Sequence, residues 1–138
     1  MSTSSESTLY TASVASAGDL VRIDSDGRTL PVSAPPALNS PDGAAWNPEQ
    51  FYAAAVATCL HQTLGVVGSE MGADLGGSSV TAEVSLRHDG AMRFSFSTRV
   101  AVDLPGVDDD TRERVVREAM RSCPVATAVS TVETAAPN

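Results

Sequence analysis

Alternating apolar and polar side chains predict a small antiparallel sheet near the start of the chain. Residues 9–15 alternate in the manner of a half-buried strand. Two more short strands are predicted over residues 21–23 and 30–32, because the Asp26-Gly27 pair between them is a strong hairpin signal. Residues 33–46 are rich in proline, glycine and small polar side chains, so we expect a surface loop there.

The pattern then changes to a helical period between Asn47 and Gly72. Asn47 is a suitable N-cap, Pro48 suits the first helical position, and Gly72 is a natural stop. Between them, apolar residues at spacings of three and four predict one broad face that contains Cys59. The face comprises Tyr52, Ala55, Val56, Cys59, Leu60, Thr63, Val67 and Met71.

A second hairpin and a second helix follow. Strict alternation over residues 80–86 and 92–102, with Asp89-Gly90 between them, predicts a pair of antiparallel strands. Acidic residues 108–110 predict the start of the next helix, and Pro124 predicts its end. Its inner face is predicted to hold Val115, Val116, Ala119, Met120 and Cys123. Beyond it, residues 125–132 favour a short helix, with a strand over residues 131–134 as the alternative.

Length and charge narrow the classes of function. The 138 residues suit one domain, residues 1–138, in which we expect residues 1–8 to be flexible. A formal net charge of -8 argues against nucleic acid and anionic membranes as partners. We find no apolar run of the roughly 18 residues that a bilayer requires. All nine basic residues are arginine, which excludes lysine Schiff-base chemistry. The first residues do not resemble a secretory signal, so we expect a cytoplasmic protein.

The candidate chemistry rests on Cys59 and Cys123, the only two cysteines. In a reducing compartment such a pair more plausibly serves redox chemistry than fold stability, although either alone is more often a core residue. His61 lies about 200° around the helix from Cys59, so it cannot pair with that thiol. These residues and His88 show no known metal-ligand spacing, and we expect no metal or cofactor.

Five short strings, in order, resemble the OsmC/Ohr family and fit its organic hydroperoxide resistance branch best. They are Leu9-Tyr10-Thr11-Ala12, Asn47-Pro48-Glu49-Gln50-Phe51, the alanine-rich approach to Cys59, Leu104-Pro105-Gly106 and Cys123-Pro124. The resemblance spans roughly residues 9–130. It implies an α+β, OsmC-like fold with two small antiparallel sheets and two long central helices. It also implies an intertwined homodimer with active sites at the subunit interface.

The resemblance assigns roles to particular residues. It implies that the Cys59 thiolate attacks an organic hydroperoxide and that Cys123 captures the sulfenic acid as a disulfide. A small dithiol, such as the lipoyl group of a carrier protein, would restore the thiols. The family also supplies an arginine from the loop after the first strand, held by the glutamate that matches Glu49.

This chain departs from the family at that loop. Residues 17–19 read Ala-Gly-Asp where the branch has Gly-Gly-Arg, and the nearest arginines are Arg22 and Arg28. Of these we expect Arg22 to take the role. An apolar pocket would favour a hydrocarbon tail and raise the pKa of the thiol unless a cation compensates. The pocket is predicted to contain Trp46, Phe51, Tyr52 and Leu60.

Two other functions fit the same residues. A dimeric small-molecule-binding protein could keep the fold and the pocket without efficient catalysis, which the missing arginine favours. A redox sensor or thiol-disulfide exchanger could use both cysteines without a peroxide, although the common Cys-x-x-Cys spacing is absent. The chain also ends soon after Thr134, where the family pattern has a longer final strand. This departure affects one edge of a sheet more than the chemistry.

Overall fold

In a computed structural model of the chain, the structure describes residues 6–38, 45–129 and 131–134. They form two compact units, an N-terminal unit up to Pro48 and a C-terminal unit from Glu49 onward. The expectation of a single domain over residues 1–138 stays a prediction. Of the start that we expected to be flexible, residues 1–5 lie outside the described part, and residues 6–8 have no regular secondary structure.

The N-terminal unit contains a three-stranded antiparallel sheet in the order β1-β2-β3. Its strands are β1 Val14–Ser16, β2 Leu20–Ile23 and β3 Thr29–Pro31. The predicted hairpin is confirmed, and Gly27 adopts a φ of +75°, which favours glycine. The first strand was predicted to begin too near the N-terminus. Leu9 and Tyr10 lie outside β1, and they are 93% and 80% exposed.

The predicted loop at residues 33–46 contains only short structure where it is described. A single 3₁₀ turn covers Pro36–Leu38, and Val32 forms an isolated parallel bridge with Trp46. The Ser33 N–H donates a 2.9 Å hydrogen bond to the Trp46 carbonyl, which closes the loop at its base. Residues 39–44 of the predicted loop lie outside the described residues.

Helix α1 spans Pro48–Glu70, and its predicted start and stop are confirmed. Gly72 has a φ of +70°, and the Ala73 N–H donates to the Gly68 carbonyl at 2.8 Å, so the last turn is closed by a left-handed glycine. The inner face differs slightly from the prediction, since Leu64 is fully buried and Ala55 is exposed. The buried stripe therefore follows the spacing of Val56, Leu60 and Leu64.

One described helix, α1, is long and apolar enough to cross a membrane when judged by length and composition alone. The expectation that no such segment exists is therefore wrong. The finding is weak evidence of a span, because a core helix passes the same test. Val56, Leu60 and Leu64 are indeed buried in the core of the C-terminal unit.

The second sheet has the order β4-β5-β6. The predicted hairpin is confirmed as β4 Ser79–His88 and β5 Phe94–Asp103, which pair antiparallel along their length. Strand β6, Thr131–Thr134, confirms the strand alternative at the end of the chain, but it pairs parallel to β5. The expectation of two purely antiparallel sheets is therefore wrong for this sheet. A parallel neighbour needs a crossover, and the helix between β5 and β6 provides it.

Helix α2, Asp109–Ser122, has the predicted acidic start. Asp108 is its N-cap, with Oδ1 accepting a 2.7 Å hydrogen bond from the Thr111 N–H. The helix ends where Cys123 becomes extended, with φ -74° and ψ 127°, because proline at the next position disfavours helical backbone. The short helix predicted after it is reduced to a 3₁₀ turn, Ala126–Ala128.

The core of the C-terminal unit joins α1, α2 and β5. It contains Val56, Leu60, Leu64, Val67, Val100, Val102, Leu104, Val115, Val116, Ala119 and Cys123. The inner face predicted for α2 is confirmed, but the sequence analysis missed Arg112, which is only 6% exposed. Its guanidinium donates to Asp109 Oδ1 at 2.6 Å and to the Val107 carbonyl at 3.0 Å, which ties the preceding loop to α2. Arg112 lies three residues before Val115 and therefore on the same face of α2, and this spacing could have indicated its burial.

Candidate active site

The two cysteine sulfurs meet in the C-terminal unit. Cys59 on α1 and Cys123 at the end of α2 place their Sγ atoms 4.0 Å apart, and both are free thiols. A disulfide requires a separation of about 2.05 Å, so an approach of roughly 2 Å would join them. The sequence alone did not show that these atoms are neighbours.

The two sulfurs differ in backbone setting and exposure. Cys59 is held in mid-helix, where its carbonyl accepts a 3.0 Å hydrogen bond from Thr63 Oγ1. Cys123 is 7% exposed and lies at a helix end, where its N–H still bonds the Ala119 carbonyl at 2.8 Å. Cys59 is the more exposed of the two. It is therefore the sulfur that a molecule from solvent reaches first.

The surroundings favour the neutral form of Cys59. Burial raises the pKa of the Cys59 thiol, and the neighbouring sulfur of Cys123 raises it further through charge repulsion and hydrogen bonding. The Val125 N–H donates a hydrogen bond to the Cys59 sulfur and opposes this effect. Within the described residues of the C-terminal unit, this amide is the group that acts to lower the pKa of Cys59.

A raised pKa predicts a steep pH dependence of Cys59 reactivity. Thiolate is the nucleophile, and below the pKa its fraction rises tenfold per pH unit. In Arg22→Ala, which removes the candidate cation, alkylation of Cys59 by iodoacetamide should therefore accelerate about tenfold per unit between about pH 6 and pH 8. Peptide mass spectrometry would follow Cys59 separately from Cys123. A plateau below about pH 7 in this variant would contradict the prediction and show that another cation reaches the sulfur in solution.

Glu49 carries an unsatisfied buried atom. It lies in the first turn of α1, and its Oε1 is buried without a hydrogen-bond partner among the described residues. A buried carboxylate oxygen without a donor is costly, so this position suits a guanidinium or another donor. The glutamate was predicted from the family resemblance, and its role as an arginine partner stays a prediction.

The two candidate arginines lie in the N-terminal unit. Arg22 is exposed on β2 and stands opposite Ala15 and Thr29 in the sheet register. Arg28 follows the hairpin and forms a 2.7 Å ion pair with Asp26. Arg22 forms no ion pair within the described part of the chain, so of the two it has the freer guanidinium. Its predicted catalytic role stays a prediction.

The predicted pocket residues have different surroundings. Tyr52 is half-buried on α1, and its ring centroid lies 5.0 Å from that of Phe96 on β5. Phe51 is also half-buried, whereas Leu60 is 1% exposed and belongs to the core. Trp46 is 47% exposed and lies in the N-terminal unit. Phe96 was missed as a neighbour of Tyr52, although its place in the alternating strand indicated a side chain on that sheet face.

Histidine takes no part in the thiol pair. His61 Nε2 lies 3.0 Å from Ser78 Oγ, and His88 stacks on Phe94 with ring centroids 4.6 Å apart. Among the residues described, no three histidine, cysteine, aspartate or glutamate side chains cluster in a way that could hold a metal ion. The described residues bring together a pair of thiols, of which Cys59 is half-buried and Cys123 is buried.

Comparison with known proteins identifies the family to which this chain belongs. The family model for OsmC-like protein matches residues 41–135. A provisionally assigned organic hydroperoxide resistance protein from Vibrio cholerae, with captopril bound in one of its active sites, is 29% identical. That comparison covers 93% of each chain with a TM-score of 0.83. No curated protein matches the chain.

Two further solved structures show the same fold at lower identity. An organic hydroperoxide resistance protein from Elizabethkingia anophelis, with thiocyanate bound, is 24% identical at a TM-score of 0.84, covering 96% of this chain and all of the other. The organic hydroperoxide resistance protein OhrB of Bacillus subtilis is also 24% identical, with a TM-score of 0.77, covering 93% of this chain and all of its own. The predicted OsmC-like fold of two helices and two small sheets is thereby confirmed.

Proposed function

Because the chain belongs to the OsmC-like protein family, we propose that it is a thiol-dependent peroxidase that reduces organic hydroperoxides to alcohols. The family and the similar structures support a redox or peroxide-resistance role in general terms. The observation that carries the finer proposal is the pair of free sulfurs 4.0 Å apart, of which Cys59 is the more exposed.

The reaction uses one peroxide and two thiols. The Cys59 thiolate attacks the terminal oxygen of the hydroperoxide, the O–O bond breaks, and the alkoxide takes a proton and leaves as an alcohol. Cys59 is now a sulfenic acid. The Cys123 sulfur attacks it, the S–O bond breaks, and the oxygen leaves as water while the disulfide forms. The peroxide gains two electrons, and the two thiols lose them.

A dithiol reductant completes the cycle. Its first thiolate attacks the disulfide to form a mixed disulfide with one cysteine and releases the other. Its second thiol then closes a new ring and releases the cysteine that is still bound. A lipoyl group of a carrier protein has this chemistry. Cys123 is the more buried sulfur, so the reductant's first attack would fall on Cys59.

The thiolate of Cys59 needs a cation to react rapidly near neutral pH. Burial raises its pKa, and the orphaned Oε1 of Glu49 is suited to orienting a guanidinium. We assign this cation to Arg22, which has no ion pair in the described chain. A guanidinium that approaches Cys59 would lower the pKa of its thiol.

A homodimer is supported by exposed apolar side chains of the C-terminal unit. Val66 on α1 is 64% exposed, and Met92, Phe94 and Phe96 in the β5 region are 85%, 54% and 40% exposed. Strand alternation places Phe94 and Phe96 on the same sheet face as Val100 and Val102, yet only the latter two are buried. A second copy would cover such a surface. We propose that this protein acts in the cytoplasm.

Peroxide consumption by the purified protein tests this function. Reduced protein with excess dihydrolipoamide should consume cumene hydroperoxide at least about tenfold faster than hydrogen peroxide, since an apolar site binds the aryl group. Without the dithiol, one equivalent of peroxide should remove two thiols per chain. Protein that loses no thiols with either peroxide would refute the proposal. Equal rates with both peroxides would refute the apolar pocket.

One observation favours a second function. The raised pKa of Cys59 leaves little thiolate at neutral pH if no arginine arrives. The protein would then bind apolar molecules or sense oxidants slowly through the same thiol pair. Slow thiol oxidation together with binding of a non-reactive alcohol would identify this second function.

A further inference from the structure

Helix α2 presents a line of arginines to solvent. Arg114, Arg117 and Arg121 lie on one face of the helix, because they are three and seven positions apart, and all three are exposed. At about 100° per residue, this face is opposite to the one that buries Val115 and Ala119 in the core. We call the three side chains the arginine stripe. It extends about 10 Å along the helix.

The stripe reverses the charge of the chain locally. The last nine residues of α2 carry three arginines and one glutamate, a net charge of +2, which leaves -10 for the rest of the chain. Arg114 forms no ion pair within the described residues. Arg117 pairs with Glu113 at 2.7 Å and Arg121 pairs with Glu118 at 3.4 Å, and all four side chains are at least half exposed. Exposed ion pairs are weak, so the carboxylates of a partner can replace these two glutamates.

The stripe ends beside the thiol pair. Arg121 precedes Cys123 by two residues, and the Cys123 N–H donates to the Ala119 carbonyl at 2.8 Å, so the last turn of α2 leads directly to this cysteine. The Sγ of Cys59 is 4.0 Å from that of Cys123. Among the described residues, the exposed large apolar side chains all lie outside α2, so the apolar contacts proposed for a second copy do not involve the stripe. A molecule bound to the stripe therefore lies close to the proposed disulfide.

Resting on the proposed function, we propose that the arginine stripe docks the protein that reduces the Cys59–Cys123 disulfide. This partner has an acidic surface and carries its dithiol on a flexible arm. Its carboxylates pair with the guanidinium groups of the stripe, and the arm extends past Arg121 to Cys59 for the first thiol exchange. The net charge of -8 repels acidic molecules in general. A preference for an acidic reductant is therefore a property of the stripe and not of the whole chain.

Synthetic lipoyl peptides test the sign of this preference. Three peptides carry the same dihydrolipoyl-lysine, which is flanked by glutamate, by glutamine or by arginine. Diamide oxidises a thiol pair without a peroxide, so it can prepare the Cys59–Cys123 disulfide, and mass spectrometry of alkylated thiols then follows its reduction. Each rate is divided by the rate of the same peptide with the uncharged 2-hydroxyethyl disulfide.

At low salt, we expect the acidic peptide to react about tenfold faster than the neutral one, and the basic peptide to be the slowest. The difference should disappear near 1 M salt, because salt screens attraction between exposed charges. The net charge of the chain by itself predicts the reverse order. The reverse order, or equal rates for the three peptides at low salt, would overturn the proposal.

Paired variants separate the stripe from general charge effects. Arg114→Gln/Arg117→Gln should slow the acidic peptide at least about threefold and leave the rate with uncharged dihydrolipoamide unchanged. Arg87→Gln/Arg93→Gln removes the same charge from exposed positions on β4 and its hairpin, and it should not change the order of the peptides. Arg114→Lys/Arg117→Lys keeps the charge and should keep most of the preference. Equal slowing in the two glutamine variants would overturn the stripe as the docking surface.

A binding measurement keeps this inference independent of redox chemistry. In an NMR titration of the reduced protein, an acidic peptide whose lysine carries octanoate in place of lipoate should shift the backbone amides of residues 114–122. Shifts confined to other elements would overturn the proposal. Larger shifts at these amides with a DNA oligonucleotide, or on concentrating the protein alone, would also overturn it and assign the stripe to nucleic acid or to a second copy.

The two proposals fail in different ways. A preference for the acidic peptide without peroxide consumption would refute the proposed peroxidase and keep the docking surface. Peroxide consumption together with the reverse order of the peptides would refute the docking surface alone.

Discussion

Replacing Cys59 by serine is expected to lower the rate of cumene hydroperoxide consumption by at least about 10³-fold. Serine keeps the shape of the side chain, but its hydroxyl is not ionised near neutral pH and is a far weaker nucleophile toward a peroxide oxygen. No other described thiol is equally exposed, because Cys123 is 7% exposed. The measurement is peroxide loss over time with dihydrolipoamide as reductant.

A matched control separates lost chemistry from lost structure. Ser69→Ala changes an exposed residue near the end of the same helix and should leave the rate within about twofold of wild type. Circular dichroism and the thermal midpoint should be similar for both variants. Rapid peroxide consumption that survives in Cys59→Ser would exclude Cys59 as the attacking sulfur.

Replacing Cys123 should spare the first oxidation and block its resolution. In Cys123→Ser, one equivalent of cumene hydroperoxide should still oxidise Cys59, but the sulfenic acid then has no internal thiol to capture it. Dimedone should trap this sulfenic acid in the variant and only weakly in wild type. With limiting dithiol and repeated additions of peroxide, turnover should fall about tenfold or more as Cys59 oxidises to the sulfinic acid.

The burial of Cys123 requires a second substitution as a control. A serine hydroxyl at this site enters the core and can cost about 1–3 kcal/mol of stability. Cys123→Ala avoids the hydroxyl and should give the same trapped sulfenic acid. Mass spectrometry should find a Cys59–Cys123 disulfide in oxidised wild-type protein only. Undiminished turnover in both variants would mean that the external dithiol reduces Cys59 directly and that Cys123 is a core residue.

Features with local causes were predictable from the sequence. The start of α1 at Pro48 and its end before Gly72 follow from capping chemistry within a few residues. The Asp108 cap of α2 and the hairpin at Asp89-Gly90 have equally local causes. The two cysteines were recognisable as candidates because no other thiols compete with them.

Some local patterns were outweighed by the lack of a partner. Tyr10 and Ala12 alternate with polar residues as a strand does, yet the described sheet begins at Val14, where β2 offers pairing partners. Phe94 continues the alternation of β5 but is 54% exposed, and Phe96 is still 40% exposed although its ring contacts Tyr52 on α1. Alternation predicts which residues share a face, and burial depends on what lies against that face.

Only the tertiary structure decided how distant parts of the C-terminal unit meet. It brings the sulfurs of Cys59 and Cys123, 64 positions apart, to 4.0 Å. It also sets β6 parallel to β5 and buries Arg112 beneath the loop before α2. These contacts depend on how α1 and α2 pack around one core, which residue spacing within either helix does not specify. The sequence by itself determined most of the elements and which two residues carry thiols, and packing between the elements brought those thiols together as a pair.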